Sequence, residues 1–174
     1  MGSILDLLKT DDKDIITIYG CDTETYADNG EYGLKSIQIW NPDNQLYITS
    51  YDYALPNVDI RQIICSKFGE WLCTLTGKVI VAFFNVQFDF SQIVYWLVHS
   101  SGWEYLNPED IKGKVRKGCF TILETDTNIY KVTINTGPAY IVFMDVANFL
   151  TATSLNRACS EWIGECKVDV DSKK

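Results

Sequence analysis

Ile15-Ile16-Thr17-Ile18-Tyr19-Gly20-Cys21-Asp22-Thr23-Glu24-Thr25-Tyr26 is the stretch on which the fold turns. Its first half is apolar and rich in β-branched residues, and it reads as a strand over 14–22. The strand leads directly into Asp-x-Glu. Side chains alternate along a strand with a period of two, so Asp22 and Glu24 share a face. Two adjacent carboxylates repel unless a cation lies between them, and hard divalent cations take oxygen ligands of this kind. A strand that ends in a polar turn accounts for the same residues without a metal.

A second segment, residues 78–98, pairs with the first. Residues 79–84 form a continuous apolar run, as expected of a strand buried on both faces. Asn85 interrupts the run. Apolar residues then recur at Phe90, Ile93, Val94 and Leu97, which is helical spacing, and this predicts a helix over 89–100. Asp89 sits in its first turn. It serves there as a cap or a dipole partner on one reading and as a ligand on the other.

Outward from these segments, residues 33–40 and 45–51 read as two strands joined by the turn Asn41-Pro42-Asp43-Asn44. Residues 59–74 read as a helix, with Ile60, Ile63, Ile64, Phe68, Trp71 and Leu72 on its apolar side and Gly77 beyond its end. Residues 102–113 read as a loop. Further strands are predicted near 117–124, 128–134 and 139–145, and a last helix near 151–163. Antiparallel strands followed by helix–strand units imply an α/β fold with a central mixed sheet flanked by helices. Neither repeats nor a linker divide the chain, so residues 1–174 read as one domain.

Composition narrows the functional classes. Apolar content of 47% and charged content of 22% belong to a folded domain. No apolar run reaches the ~20 residues that span a bilayer, so no membrane role is expected. Six cysteines without Cys-x-x-Cys spacing suggest buried reduced thiols and a cytoplasmic location, the host cytoplasm if a phage encodes the protein. The formal net charge of −8 is unusual for a protein that handles phosphate backbone. Lys112, Lys114, Arg116 and Lys117 form the one basic cluster, either a strand-tracking loop or a solvated one.

Asp-x-Glu on a first strand, followed by Asn-x-x-Phe-Asp at a strand-to-helix junction, resembles the DEDD-type 3′–5′ exonucleases. The wording of Asp22-Thr23-Glu24-Thr25 and of residues 84–89, Phe-Asn-Val-Gln-Phe-Asp, is most similar to the N-terminal proofreading domain of protein-primed family B DNA polymerases from phages and linear plasmids. Residues 140–145, Tyr-Ile-Val-Phe-Met-Asp, are similar to a strand ending in Asp that precedes that family's connecting helix. Residues 166–171, with Lys167 and Asp169, are similar to its Lys-x-Asp segment. The resemblance spans about residues 14–171.

The resemblance implies a ribonuclease H-like exonuclease fold and two-metal hydrolysis of phosphodiesters in single-stranded DNA 3′ ends, with Mg²⁺ or Mn²⁺ as cofactor. Asp22 would bridge both metals, Glu24 would hold the nucleophile-side metal, and Asp89 the other. Asn85 and Phe88 would face the terminal nucleotides, Phe88 stacking on a base. Lys167 would neutralise charge at the scissile phosphate, and Thr25 and Tyr26 are weaker candidates for strand contact. A core aromatic and a surface lysine are the plain readings of Phe88 and Lys167.

The sequence also departs from the family. It contains no Tyr-x-x-x-Asp to supply the fourth carboxylate, and its single histidine, His99, opens no His-x-x-x-x-Asp. Val146 and Ala147 stand where the family carries Ser or Thr followed by Leu. Three functions therefore follow. The first is an exonuclease domain acting with a terminal protein or the rest of a polymerase. The second is an inactive exonuclease fold whose acidity blocks a host nucleic-acid-binding protein, as an anti-CRISPR inhibitor would. The third is a fold that binds nucleic acid without cleaving it. A 174-residue whole protein would favour inhibition; a piece of a polymerase would favour the exonuclease.

Overall fold

A computed structural model describes residues 15–28, 31–49, 60–84, 86–124 and 129–148. Its chain order is β1 (Ile16–Asp28), β2 (Glu31–Asn41), β3 (Asn44–Thr49), α1 (Ile60–Thr74), β4 (Gly77–Phe83), α2 (Val86–His99), β5 (Glu104–Tyr105), β6 (Cys119–Glu124), β7 (Ile129–Asn135) and β8 (Ala139–Asp145). The strands form one sheet in the order β3-β2-β1-β4-β8-β7-β6-β5. Its centre is parallel: β1 pairs with β4 and β4 with β8. The antiparallel pairs β1–β2–β3 and β6–β7–β8 flank that centre. The mixed α/β sheet expected from the sequence is thus the observed architecture.

One face of the sheet carries the core. Val79, Val81 and Phe83 of β4 alternate toward that face, as do Ile141 and Phe143 of β8. On α1 it meets Ile64, Phe68 and Leu72, one stripe at four-residue intervals. The α2 stripe is Val86, Phe90, Ile93 and Leu97. Phe143 is the hub, with Phe83, Phe68 and Phe90 rings centred 5.5, 5.9 and 6.2 Å from its own. Each such aromatic pair adds ~0.5–1.5 kcal/mol beyond the burial of its area.

Three expectations change. The α2 helix begins at Val86, not Asp89, because Val86 is itself fully buried and completes the apolar stripe. β1 runs on through Asp28 despite its polar sequence, since the β2 ladder supplies partners as far as Asp28 opposite Glu31. β4 is buried on one face only, with Lys78, Ile80 and Ala82 half-exposed on the other. Among the described residues the helices cover a single face of the sheet. The helix expected at 151–163 and the Lys167 segment lie outside the described residues.

Cys21, Cys65, Cys73 and Cys119 are free thiols, and three of the four are buried. Among the described residues no helix is long and apolar enough to cross a membrane.

The α1–α2 crossing rests on Gly69, where an added Cβ would collide with the Trp96 indole. An alanine replacing glycine inside a helix ordinarily stabilises it by ~1 kcal/mol. Here the collision reverses the sign, and Gly69→Ala is expected to destabilise the fold by about 1–3 kcal/mol in urea unfolding. A gain in stability would contradict so close a crossing.

Candidate functional site

The central strands end unevenly, and this creates the site. β1 pairs with β4 only from Ile16 opposite Lys78 to Gly20 opposite Ala82. β4 stops at Phe83, in register with Asp145 at the end of β8. β1 continues past that point, held only by β2. Beyond Gly20 its free side has no strand to satisfy its backbone, and buried amides need partners.

Asp89 supplies one. The Thr23 amide and hydroxyl both donate to Asp89 Oδ1, at 3.0 and 2.6 Å. Asp89 reaches β1 from the first turn of α2, where the helix dipole favours a carboxylate. Asp89 lies three residues inside the helix and clasps the middle residue of Asp22-Thr23-Glu24.

The environment of Asp89 is electrostatically loaded. Only 2% of the residue is exposed. Burial raises its pKa to about 6, and the charges of Asp22 and Asp145 push the same way while the Thr23 bonds oppose the shift. Asp145 is also buried, with Oδ1 accepting from the Ala147 amide at 2.9 Å. Burial, followed by the charges of Asp89 and Asp22, likewise drives the Cys21 thiol well above its ordinary range. Cys21 is thereby kept protonated and unreactive.

Asp22 faces the other way. It stands opposite Gln38 in the β1–β2 ladder and lines a cleft of about 540 Å³ with Gly20, Trp40, Ala82 and Phe84. Asp22 is half-buried, Glu24 exposed and Thr25 half-buried. A register shift between Glu24 and Thr25 skips Lys35 of β2 and bends the strand there. Phe88 lies within α2, Asn85 and Lys167 fall outside the described residues, and the Phe88 side chain is likewise not described.

Asp22, Asp89 and Asp145 are thus gathered at one end of the central strands, with Glu24 further out along β1. Oxygen donors that raise one another's proton affinity are chemically suited to a hard divalent cation. Both Thr23 bonds fall on Asp89 Oδ1 rather than on its second oxygen. Among the described residues, no three His, Cys, Asp or Glu side chains stand close enough together to hold a metal ion. Asp145 is the member of the group that sequence reasoning did not place in a site. Its signal was an apolar strand ending in a carboxylate, the same form as β1.

The basic cluster lies elsewhere. Lys112, Lys114, Arg116 and Lys117 are exposed in the loop before β6, and Arg116 pairs with Glu104 at 3.5 Å. Cys119 is in register with Asn135, and Asn135 with Tyr140 at the start of β8. The loop therefore sits at the end of the sheet opposite Asp145.

No protein-family model matches the chain. No curated protein matches it either. Solved structures do. Phi29 DNA polymerase in its post-translocation binary complex with primer-template DNA aligns with a TM-score of 0.61 at 12% identity, over 91% of this chain and 25% of that one. The ternary complex with incoming nucleotide gives 0.60 at 14%, over 90% and 25%. The complex with single-stranded DNA gives 0.59 at 13%, over 88% and 25%. The chain spans about a quarter of the length of these polymerases. The likeness is one of fold, consistent with the ribonuclease H-like arrangement.

Asp89 gives a pH signature. Its pKa of about 6 lies above the ~3.9 of an unfolded aspartate, so the folded state holds the extra proton between those values. This contribution to stability is present below about pH 4 and is lost as pH rises to about 6. In metal-free buffer the melting temperature of Asp89→Asn minus that of the native chain should grow by several degrees from pH 4 to 7 and then level off. The asparagine keeps an acceptor for Thr23. A difference that stays constant with pH would refute the raised pKa.

Proposed function

We propose that this chain is a 3′–5′ exonuclease domain of the kind found in phage protein-primed DNA polymerases, removing nucleotides from single-stranded DNA 3′ ends. The observation that carries the reading is the Thr23–Asp89 clasp, which joins two motifs 66 residues apart at one end of the sheet. The fold likeness to a polymerase solved with single-stranded DNA supports it.

In this reading Asp22, Glu24 and Asp89 would hold Mg²⁺ or Mn²⁺. Cations bound there would supply an activated water and neutralise charge on the phosphate. The chain's own residues set the stage. Thr23 fixes the Asp89 carboxylate on the β1 backbone, so its direction follows the strand rather than a free rotamer. Asp22 presents its carboxylate to the cleft, and the buried charge of Asp145 deepens the negative potential that draws cations to this end. Lys167 and Asn85 complete the phosphate and strand contacts, together with Phe88 and Thr25. The rest of a polymerase or a terminal protein is the partner on this reading.

A second reading is favoured by the net charge of −8 and by the placement of the basic loop at the far end of the sheet. In it the fold is inactive and its acidic end masks a host nucleic-acid-binding protein.

Digestion of 3′-labelled and 5′-labelled single-stranded DNA with Mg²⁺ or Mn²⁺ separates the two. The exonuclease yields a 3′–5′ ladder, and Asp22→Ala/Glu24→Ala and Asp89→Ala should each slow it at least about 100-fold. Absence of cleavage by the native chain with either metal sinks the exonuclease reading. A variant that digests at the native rate sinks the role of the residue it removes.

A further inference from the structure

We infer that the cleft beside Asp22 is a nucleobase subsite, with Trp40 as its stacking wall and the amides of Gln38 and Gln45 at the base edges. This deepens the exonuclease reading and rests on it for the source of the base, a single nucleic-acid strand. Trp40 is 53% exposed on a strand whose other apolar side chains, Leu34, Ile37 and Ile39, are buried. Alternation along β2 turns it away from the helix-covered core and into the cleft.

The row across the sheet explains the cleft. Gln45 is in register with Trp40, Trp40 with Gly20, and Gly20 with Ala82. The floor next to the indole is therefore made of two of the smallest residues. Gly20 is not required by crowding, because an added Cβ would meet only the Trp40 carbonyl oxygen at 3.8 Å. Left-handed backbone does not require it either, since it is not among the positive-φ glycines. The register shift of the β1–β2 pair lies further on, between Glu24 and Thr25, and its extra residue, Lys35, is on β2. A glycine inside a strand costs stability, and its missing side chain leaves room at this point for the close approach of a ligand.

The chemistry of the walls selects the ligand. Trp40 offers a flat π-face, and an aromatic platform holds any base by stacking. Gln38 and Gln45 each carry a donor pair and an acceptor, which match base edges. No Lys or Arg is among the described residues that line the cleft, and Asp22 is there. An uncharged ring is accommodated where a phosphate alone would be repelled. The cleft volume of about 540 Å³ is within the usual range for a nucleotide-sized ligand.

The test measures binding of a fluorescein-labelled hexathymidylate with hydrolysis-resistant phosphorothioate linkages, in Mg²⁺, beside an abasic strand of the same length and linkages. Trp40→Ala should weaken binding of the thymidylate at least about fivefold and leave the abasic strand unaffected. Trp40→Phe should retain most of the affinity. Gly20→Val, which fills the floor, should lose as much as Trp40→Ala. Melting temperatures establish that each variant is folded. The subsite is overturned if Trp40→Ala binds the thymidylate like the native chain, or if the native chain does not prefer the base-bearing strand. In either case digestion of labelled single-stranded DNA by the native chain decides the broader reading. A retained 3′–5′ ladder leaves the exonuclease standing without this subsite, and no ladder ends both. A preference for bases that depends on Trp40, without any ladder, keeps the subsite and discards hydrolysis.

Discussion

The Thr23 amide lies on the side of β1 that has lost its neighbour, because β4 ends one residue past the last β1–β4 pair. A carboxylate on a helix takes the place of a strand carbonyl there. That substitution holds the start of α2 against β1, and α2 in turn brings Phe90 and Ile93 onto the sheet. Hydrogen bonds to a charged acceptor are about twice as strong as neutral ones, so the clasp is well suited to a junction where the sheet ladder stops.

The same junction carries an opposing cost. A carboxylate 2% exposed, near two others, is destabilised in its charged form. The fold tolerates this at the place where its strands terminate, while the rings packed around Phe143 are apolar. A concentration of unfavourable charge at one point of a fold is characteristic of a site kept for function rather than for stability.

Much of this was legible in the chain. Period-two alternation put Asp22 and Glu24 on one side of β1, and the apolar runs placed β4, α2 and β8 to within three residues. Burial of Val86 was hidden because one valine after Asn85 looks like loop. The one-sided burial of β4 was hidden because Ile80 and Ala82 are apolar yet lie half-exposed on its other face. The Thr23–Asp89 bond depends on where β4 ends relative to β1, a property of the assembled sheet that no local pattern encodes. Asp145 escaped notice as a site member for the same reason, since its proximity to Asp89 follows from the β4–β8 register. Trp40 carries no local signal in the sequence, because only the identity of its cross-strand neighbours, Gly20 and Gln45, marks it as the wall of a cleft.

The parallel centre of the sheet also governs the order in which the chain can assemble. The β2–β3 and β7–β8 hairpins close over short loops, and their entropic cost is small. β1 finds β4, and β4 finds β8, only after long intervening segments have been ordered. Contacts of such separation form slowly. The clasp between residues 66 apart belongs to this late class. During synthesis β1 leaves the ribosome before α2 does, so its acidic stretch meets Asp89 only once α2 has been made. The acidic end of the sheet comes into being with the final closure of the domain and does not precede it.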